Sequence, residues 1–139
     1  YNPYTFGSNS IKQVLPSILK TSAVVRNKFS QPLSEIGISS ENFPDSHVWL
    51  KEEGGEIVSP YKMLPKVFGM DQDDLEEKIS GIVDINDGGA ALTAYGKIQY
   101  TNMSDMERGQ IATSLLKYCE LDTLAMVMIY EHLISLVNE

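Results

Sequence analysis

The sequence predicts a mainly helical chain with at most a small β-hairpin, and three observations lead there. Apolar residues recur at three and four positions from Ser104 to Asn138, the Ser, Gly and Pro residues upstream punctuate shorter helical patterns, and strand signals are too few for a self-sufficient sheet. With 139 residues, 42% of them hydrophobic, the chain has room for one domain with a real core.

The elements follow in order. Gly7-Ser8-Asn9-Ser10 sets turn residues and a Ser N-cap before Ile11-Lys12-Gln13-Val14-Leu15, so a short helix is expected from Ile11, with Pro16 either in its first turn or ending it. Ile18 and Leu19 offer a second apolar contact. From Thr21 to Asn42 no period is sustained, which reads as loop with one helical turn at most. Val48-Trp49-Leu50 and Glu56-Ile57-Val58 flank a turn at Gly54-Gly55, the pattern of a small hairpin. Ser59-Pro60 then leads a helical segment that Pro65 breaks or restarts and Gly69 ends. Asp71 is placed to cap Gln72 to Ser80, and Asp87-Gly88-Gly89 opens an Ala-rich helix through Ile98. Ser104 and Glu107 have capping-box spacing, so the last helix should start at Asp105 and continue to Asn138, with Thr123 as the expected place for a bend. Its apolar stripe is Leu121, Leu124, Ala125, Met128, Ile129, His132, Leu133 and Leu136.

Charge is distributed unevenly. The net charge is −8, yet Glu41 to Asp87 holds twelve acids against four lysines, while no acid precedes Glu35 and that stretch carries Lys12, Lys20, Arg26 and Lys28. A polyanion is tolerated by the amino-terminal stretch and repelled by the middle. The chain opens on Tyr1 with no charged leader, long apolar run or small-residue cleavage site, so neither secretion nor membrane insertion is indicated; the expectation is a piece of a larger cytoplasmic protein. One cysteine and two histidines exclude an internal disulfide and leave no structural-zinc spacing.

Several sites are tested and set aside. Asp84-Ile85-Asn86-Asp87-Gly88-Gly89 hints at a calcium loop, but the twelfth position is Tyr95 rather than Glu. No Gly-rich loop leads into Lys-Ser or Lys-Thr. Cys119 and His132 stand thirteen residues apart on one helix, on the order of 20 Å, which is too far for a nucleophile and base. Cys119 therefore reads as a small buried apolar residue, and His132, Met126 and Met128 as packing.

Tyr118 and Asp122 are four residues apart, so a phenol and a carboxylate share one helix face about a turn from each other. That geometry suits a carboxylate on a divalent metal beside a hydroxyl that hydrogen-bonds a metal-bound water. The flanking run Leu115-Leu116-Lys117-Tyr118-Cys119-Glu120-Leu121-Asp122-Thr123-Leu124-Ala125-Met126-Val127 resembles the ending of an uncharacterised bacterial family, a domain of unknown function whose intact members look like DnaQ-related, ribonuclease-H-like 3′-to-5′ exonucleases. Gly7-Ser8-Asn9-Ser10-Ile11-Lys12-Gln13-Val14-Leu15-Pro16 resembles the family's Gly-Ser-aromatic-Ser-Ile-Lys-x-Val-Leu-Pro segment, and Asp87-Gly88-Gly89-Ala90-Ala91 its Gly/Ala-rich segment.

The resemblance implies the carboxy-terminal part of an α/β ribonuclease-H-like domain: a Ser-Ile-Lys block at 1–19, a variable acidic insertion-like region at 20–84 and a helical block at 85–139. It implies a mechanism in which four carboxylates hold two divalent ions, Mg or Mn, with Asp122 as the last carboxylate, Tyr118 orienting the attacking water in the Tyr variant of the motif, and Lys12 as a candidate phosphate contact. The first motif, an Asp-x-Glu on an apolar strand, has no counterpart, since Asp74-Leu75-Glu76 lies in an acidic helical run; Asp84 lies between the wrong blocks to be the second. Both motifs are expected upstream of Tyr1, so a metal belongs to the intact parent and none is expected in this fragment, which is expected to be inactive alone. Nucleic acid is then a partner of the parent protein, and an exposed apolar face is open to self-association. The alternative is a non-catalytic helical module that contacts a protein through its long helix or acidic middle.

Overall fold

The computed structural model describes residues 3–64, 96, 99, 102 and 104–138. It is mainly helical with one small two-stranded antiparallel sheet. Its contacts divide the chain into two compact units, one formed by Tyr1–Pro60 with Glu120–Glu139 and the other by Tyr61–Cys119. The expected helices at Gln72–Ser80 and from Asp87 lie outside the described residues, as do Asp74, Glu76 and Asp84.

In the first unit a single 3-10 turn at Pro3–Thr5 precedes α1, Ile11–Thr21, and α2, Ala23–Phe29. Ser10 occupies the N-cap of α1 in extended geometry, although its side chain makes no capping hydrogen bond. Pro16 neither opens nor ends the helix but sits inside it. Its missing N–H gives nothing to the Lys12 carbonyl, a cost offset by the burial of Leu15, Ile18 and Leu19 on one side of the helix around it. The Thr21 hydroxyl donates to the Ser17 carbonyl at 3.1 Å, and the Arg26 guanidinium donates from Nη1 to the Leu19 and Lys20 carbonyls at 3.0 and 2.7 Å. Those carbonyls end α1, where helical donors have run out and a cation is favoured.

The stretch after Thr21 is more helical than its composition suggests. Ser22 accepts a hydrogen bond from the Val25 N–H through its hydroxyl, capping two full turns that bury Val25 and Phe29 four residues apart. Two buried apolar residues are too few to show a period against Arg26, Asn27 and Lys28. Beyond α2 the chain is irregular as expected, and backbone hydrogen bonds fix it: Leu33 N–H to the His47 carbonyl, Ser34 N–H to Asp45, and Leu50 N–H back to Phe29. Leu33, Trp49 and Leu50 are buried, and the Phe43, His47 and Trp49 rings pack with centroids 4.3 to 4.7 Å apart, the indole edge-on to both neighbours.

The hairpin pairs β1, Lys51–Glu53, with β2, Glu56–Val58, in the register Lys51 to Val58, Glu52 to Ile57 and Glu53 to Glu56. Gly54 and Gly55 turn it with φ of 62° and 84°, the left-handed pair that a two-residue turn of matching twist requires and that only glycine adopts freely. Trp49 and Leu50, read as part of the first strand, precede it and belong to the core.

The last helix, α3, runs from Asp105 to Val137. Its 33 residues are about 50 Å long. Helical hydrogen bonding continues through Thr123 without a break. In the second unit Ile111, Ser114 and Tyr118 form its buried side, with Tyr61 and Leu64 of the turn Pro60–Met63 and its flank also buried. In the first unit the buried side is Leu121, Leu124, Ala125 and Met128. The expected stripe does not stay covered: Ile129 and His132 are half-buried, and Leu133 and Leu136 are exposed. Cover ends near Glu131, whose carboxylate takes a 2.6 Å hydrogen bond from Lys28 Nζ on the short α2. Among the described residues no helix is long and apolar enough to cross a membrane.

Phe29 is fully buried and its carbonyl also receives Leu50. Phe29→Ala should therefore lower stability by about 3–5 kcal/mol, measured by urea denaturation, whereas Val24→Ala on the exposed side of α2 should change it by less than about 0.5 kcal/mol.

Candidate functional site

The site rests on α3, so its construction begins where that helix is nucleated. Ser104 and Glu107 form a reciprocal capping box: the Glu107 N–H donates to the Ser104 hydroxyl at 3.3 Å, and the Ser104 N–H donates to the Glu107 carboxylate at 2.9 Å. The Ser104 hydroxyl donates to the same carboxylate oxygen at 2.8 Å. Hydrogen bonds from the Ser104 side chain and then its backbone hold the Glu107 carboxyl below its ordinary value of 4.5. Asp105 adds a second acid to the first turn.

Fourteen to eighteen residues into a right-handed helix started in this way come Tyr118 and Asp122, in one unbroken stretch of helix. Tyr118 belongs to the second unit, where it is only 6% exposed and its ring lies 6.0 Å from that of Tyr61, tilted by 57°. Asp122 belongs to the first unit and is half-buried. Its neighbour Glu120 accepts a hydrogen bond from Asn42 Nδ2 at 2.7 Å, which ties the helix to the irregular segment of the same unit. Lys12 is half-buried in the first turn of α1. Tyr118 and Asp122 thus keep their shared helix face, while the phenol carries the deeper burial of the two.

Two residues placed in the core by composition are elsewhere. Cys119 is exposed, because Tyr118 takes the inward position and the following residue turns about 100° away from it. Met126 is 58% exposed for the same reason beside Ala125, which is buried together with Met128. Among the described residues no three of His, Cys, Asp and Glu come together as a group able to hold a metal ion. Asp122 with its surroundings does not fit a two-ion centre by itself, since each ion needs several oxygen ligands and one carboxylate cannot bridge and saturate both.

A cleft of about 490 Å³ lies within the first unit, lined by Tyr4, Lys20, Arg26, Glu52, Glu56 and Ser59 among others. Its wall contains neither Lys12 nor Asp122. Lys20 Nζ stands 5.7 Å from the Tyr4 ring centroid, a cation held over an aromatic face. The Lys20 and Arg26 side of the cleft was legible only as a basic run without acids; its meeting with the hairpin acids depends on tertiary structure.

No protein-family model, no curated protein and no solved structure matches this chain.

The pH dependence of the capping box has a defined sign. A carboxyl lowered in the folded state contributes stability that is present above its unfolded value and lost as pH falls through its folded one. The first turn of α3 should therefore loosen on acidification below about pH 4.5, seen as faster amide exchange at Glu107 and Arg108, and Glu107→Gln should remove that dependence.

Proposed function

We propose that this chain is the carboxy-terminal portion of a metal-dependent 3′-to-5′ exonuclease-like nuclease and that it does not turn over nucleic acid by itself. The observation that carries the reading is the unbroken helix through Tyr118 and Asp122, which keeps phenol and carboxylate on one face a turn apart inside the Leu115 to Val127 run. The start of α1 at Ile11, with Ser10 at its N-cap, agrees with a structured Ser-Ile-Lys block. Asp122 is the carboxylate offered to a metal, Mg or Mn, and Tyr118 the hydroxyl offered to a water; the remaining ligands must come from sequence outside these residues. Lys12 and the acid-free stretch around it are the surface offered to phosphates, away from the acidic middle.

A second reading is favoured by one observation, the exposed apolar residues towards the end of α3. In it the chain is a non-catalytic helical interaction module on a degenerate nuclease scaffold.

The test compares this chain with the full product of its gene on 3′-labelled single-stranded DNA and RNA in the presence of Mn²⁺. The nuclease reading expects no release of nucleotides by the chain alone and metal-dependent release by the full product. Asp122→Asn in that product should lower the rate by at least about a hundredfold, more than loss of a supporting outer-shell contact costs, and Tyr118→Phe by less. Full activity of the Asp122→Asn protein, or no release by the full product, would remove the assignment.

A further inference from the structure

The exposed side of α3 carries a second apolar stripe, and it is spaced for another helix. Within the first unit Thr123, Met126, Tyr130, Leu133 and Val137 are all exposed and recur at three, four, three and four residues. Met126, Tyr130, Leu133 and Val137 are 58%, 63%, 54% and 84% exposed. Val127, Ile134 and Leu136, also exposed, flank them. This row is separate from Leu121, Leu124, Ala125 and Met128, which the unit buries in its own core. A surface helix with one partner has one such row; an alternation of three and four residues sustained over two heptads is the seam on which a second helix packs knobs into holes.

We propose that this stripe is a self-association surface covered by the same stripe of a second copy of the chain. Three features choose that occupant. None of these eight side chains is charged, and the neighbouring Glu131 carboxylate is held by Lys28, so the row itself brings no like charges together; Asp122 borders only its amino-terminal end. It offers no cation to a polyanion and no ion-pair handle for selecting a charged partner. Lastly, six large apolar side chains on one side of the helix, Met126, Val127, Tyr130, Leu133, Ile134 and Val137, with about half their surface open present roughly 500–600 Å² per copy, so a two-fold pair would bury roughly 1,000–1,200 Å², at the lower edge of stable interfaces. A two-fold contact uses the same patch on both copies, which an uncharged stripe on one helix satisfies. The net charge of −8 opposes encounter, but its excess lies at 41–87 and is screened beyond about 8 Å at physiological salt. The inference does not depend on the nuclease reading.

Sedimentation equilibrium of the intact chain tests it. A dimer should form with a dissociation constant on the order of micromolar, and its affinity should hold or rise from about 0.05 to 0.5 M salt, where an ion-pair interface would weaken. Leu133→Glu with Val137→Glu should leave a monomer, while Asn9→Glu with Ser34→Glu, the same added charge at exposed positions off the stripe, should leave the dimer intact. Met126→Ala with Leu133→Ala, which preserves helix propensity and charge, should weaken association at least about tenfold; circular dichroism of each variant separates lost pairing from lost folding. A monomer at concentrations up to about 200 µM, or a dimer indifferent to the stripe variants, overturns the proposal.

Discussion

A helix of 33 residues with apolar side chains on more than one side needs cover for them, and which of them receive it organises the described structure. The capping box at Ser104 fixes where α3 begins and hence the rotational phase of everything after it. With that phase set, Ile111, Ser114 and Tyr118 turn inward in one unit and Leu121, Leu124, Ala125 and Met128 in the other. Residues at intermediate angles, Cys119 and Met126 among them, are left outside.

The same phase explains what was legible in the sequence and what was not. Local chemistry carried well: the Ser104 and Glu107 spacing, the Ser10 N-cap and the Gly54-Gly55 turn are each decided within a few residues, so α3 and α1 start, and the hairpin turns, where the residues say. Covering partners are decided at a distance. Leu133 and Leu136 have the spacing of core residues, but α2 is only two turns long and the Lys28 to Glu131 contact marks how far that cover reaches. The short α2 itself was hidden because its apolar content amounts to Val24, Val25 and Phe29 among polar neighbours. Pro16 misled in the opposite direction, since burial around it outweighs one missing hydrogen bond.

For the candidate site the balance is similar. That Tyr118 and Asp122 share a helix face follows from their spacing alone; that the phenol is almost wholly covered while the carboxylate is half-buried does not. Helix geometry sets direction, whereas exposure depends on which neighbouring side chains arrive, here the ring of Tyr61 beside Tyr118. Lys12 was singled out by its block and stands in the first turn of α1, where the helix dipole also favours anions.

Tyr118 also carries the strongest physical demand on the proposed nuclease. A hydroxyl that orients a water must reach solvent-accessible space at its tip even when its ring is packed, and a tyrosine is the side chain built for that division, with an apolar body and a polar end. Packing against Tyr61 restricts the ring of Tyr118, and a restricted ring is what the proposed role would use. Asp122 obeys the opposite rule. A half-buried carboxylate keeps part of its surface open, as a group offered to a cation supplied from elsewhere must. On one helix, then, the proposed roles divide by burial: the phenol is the more covered of the two side chains and the carboxylate the more open.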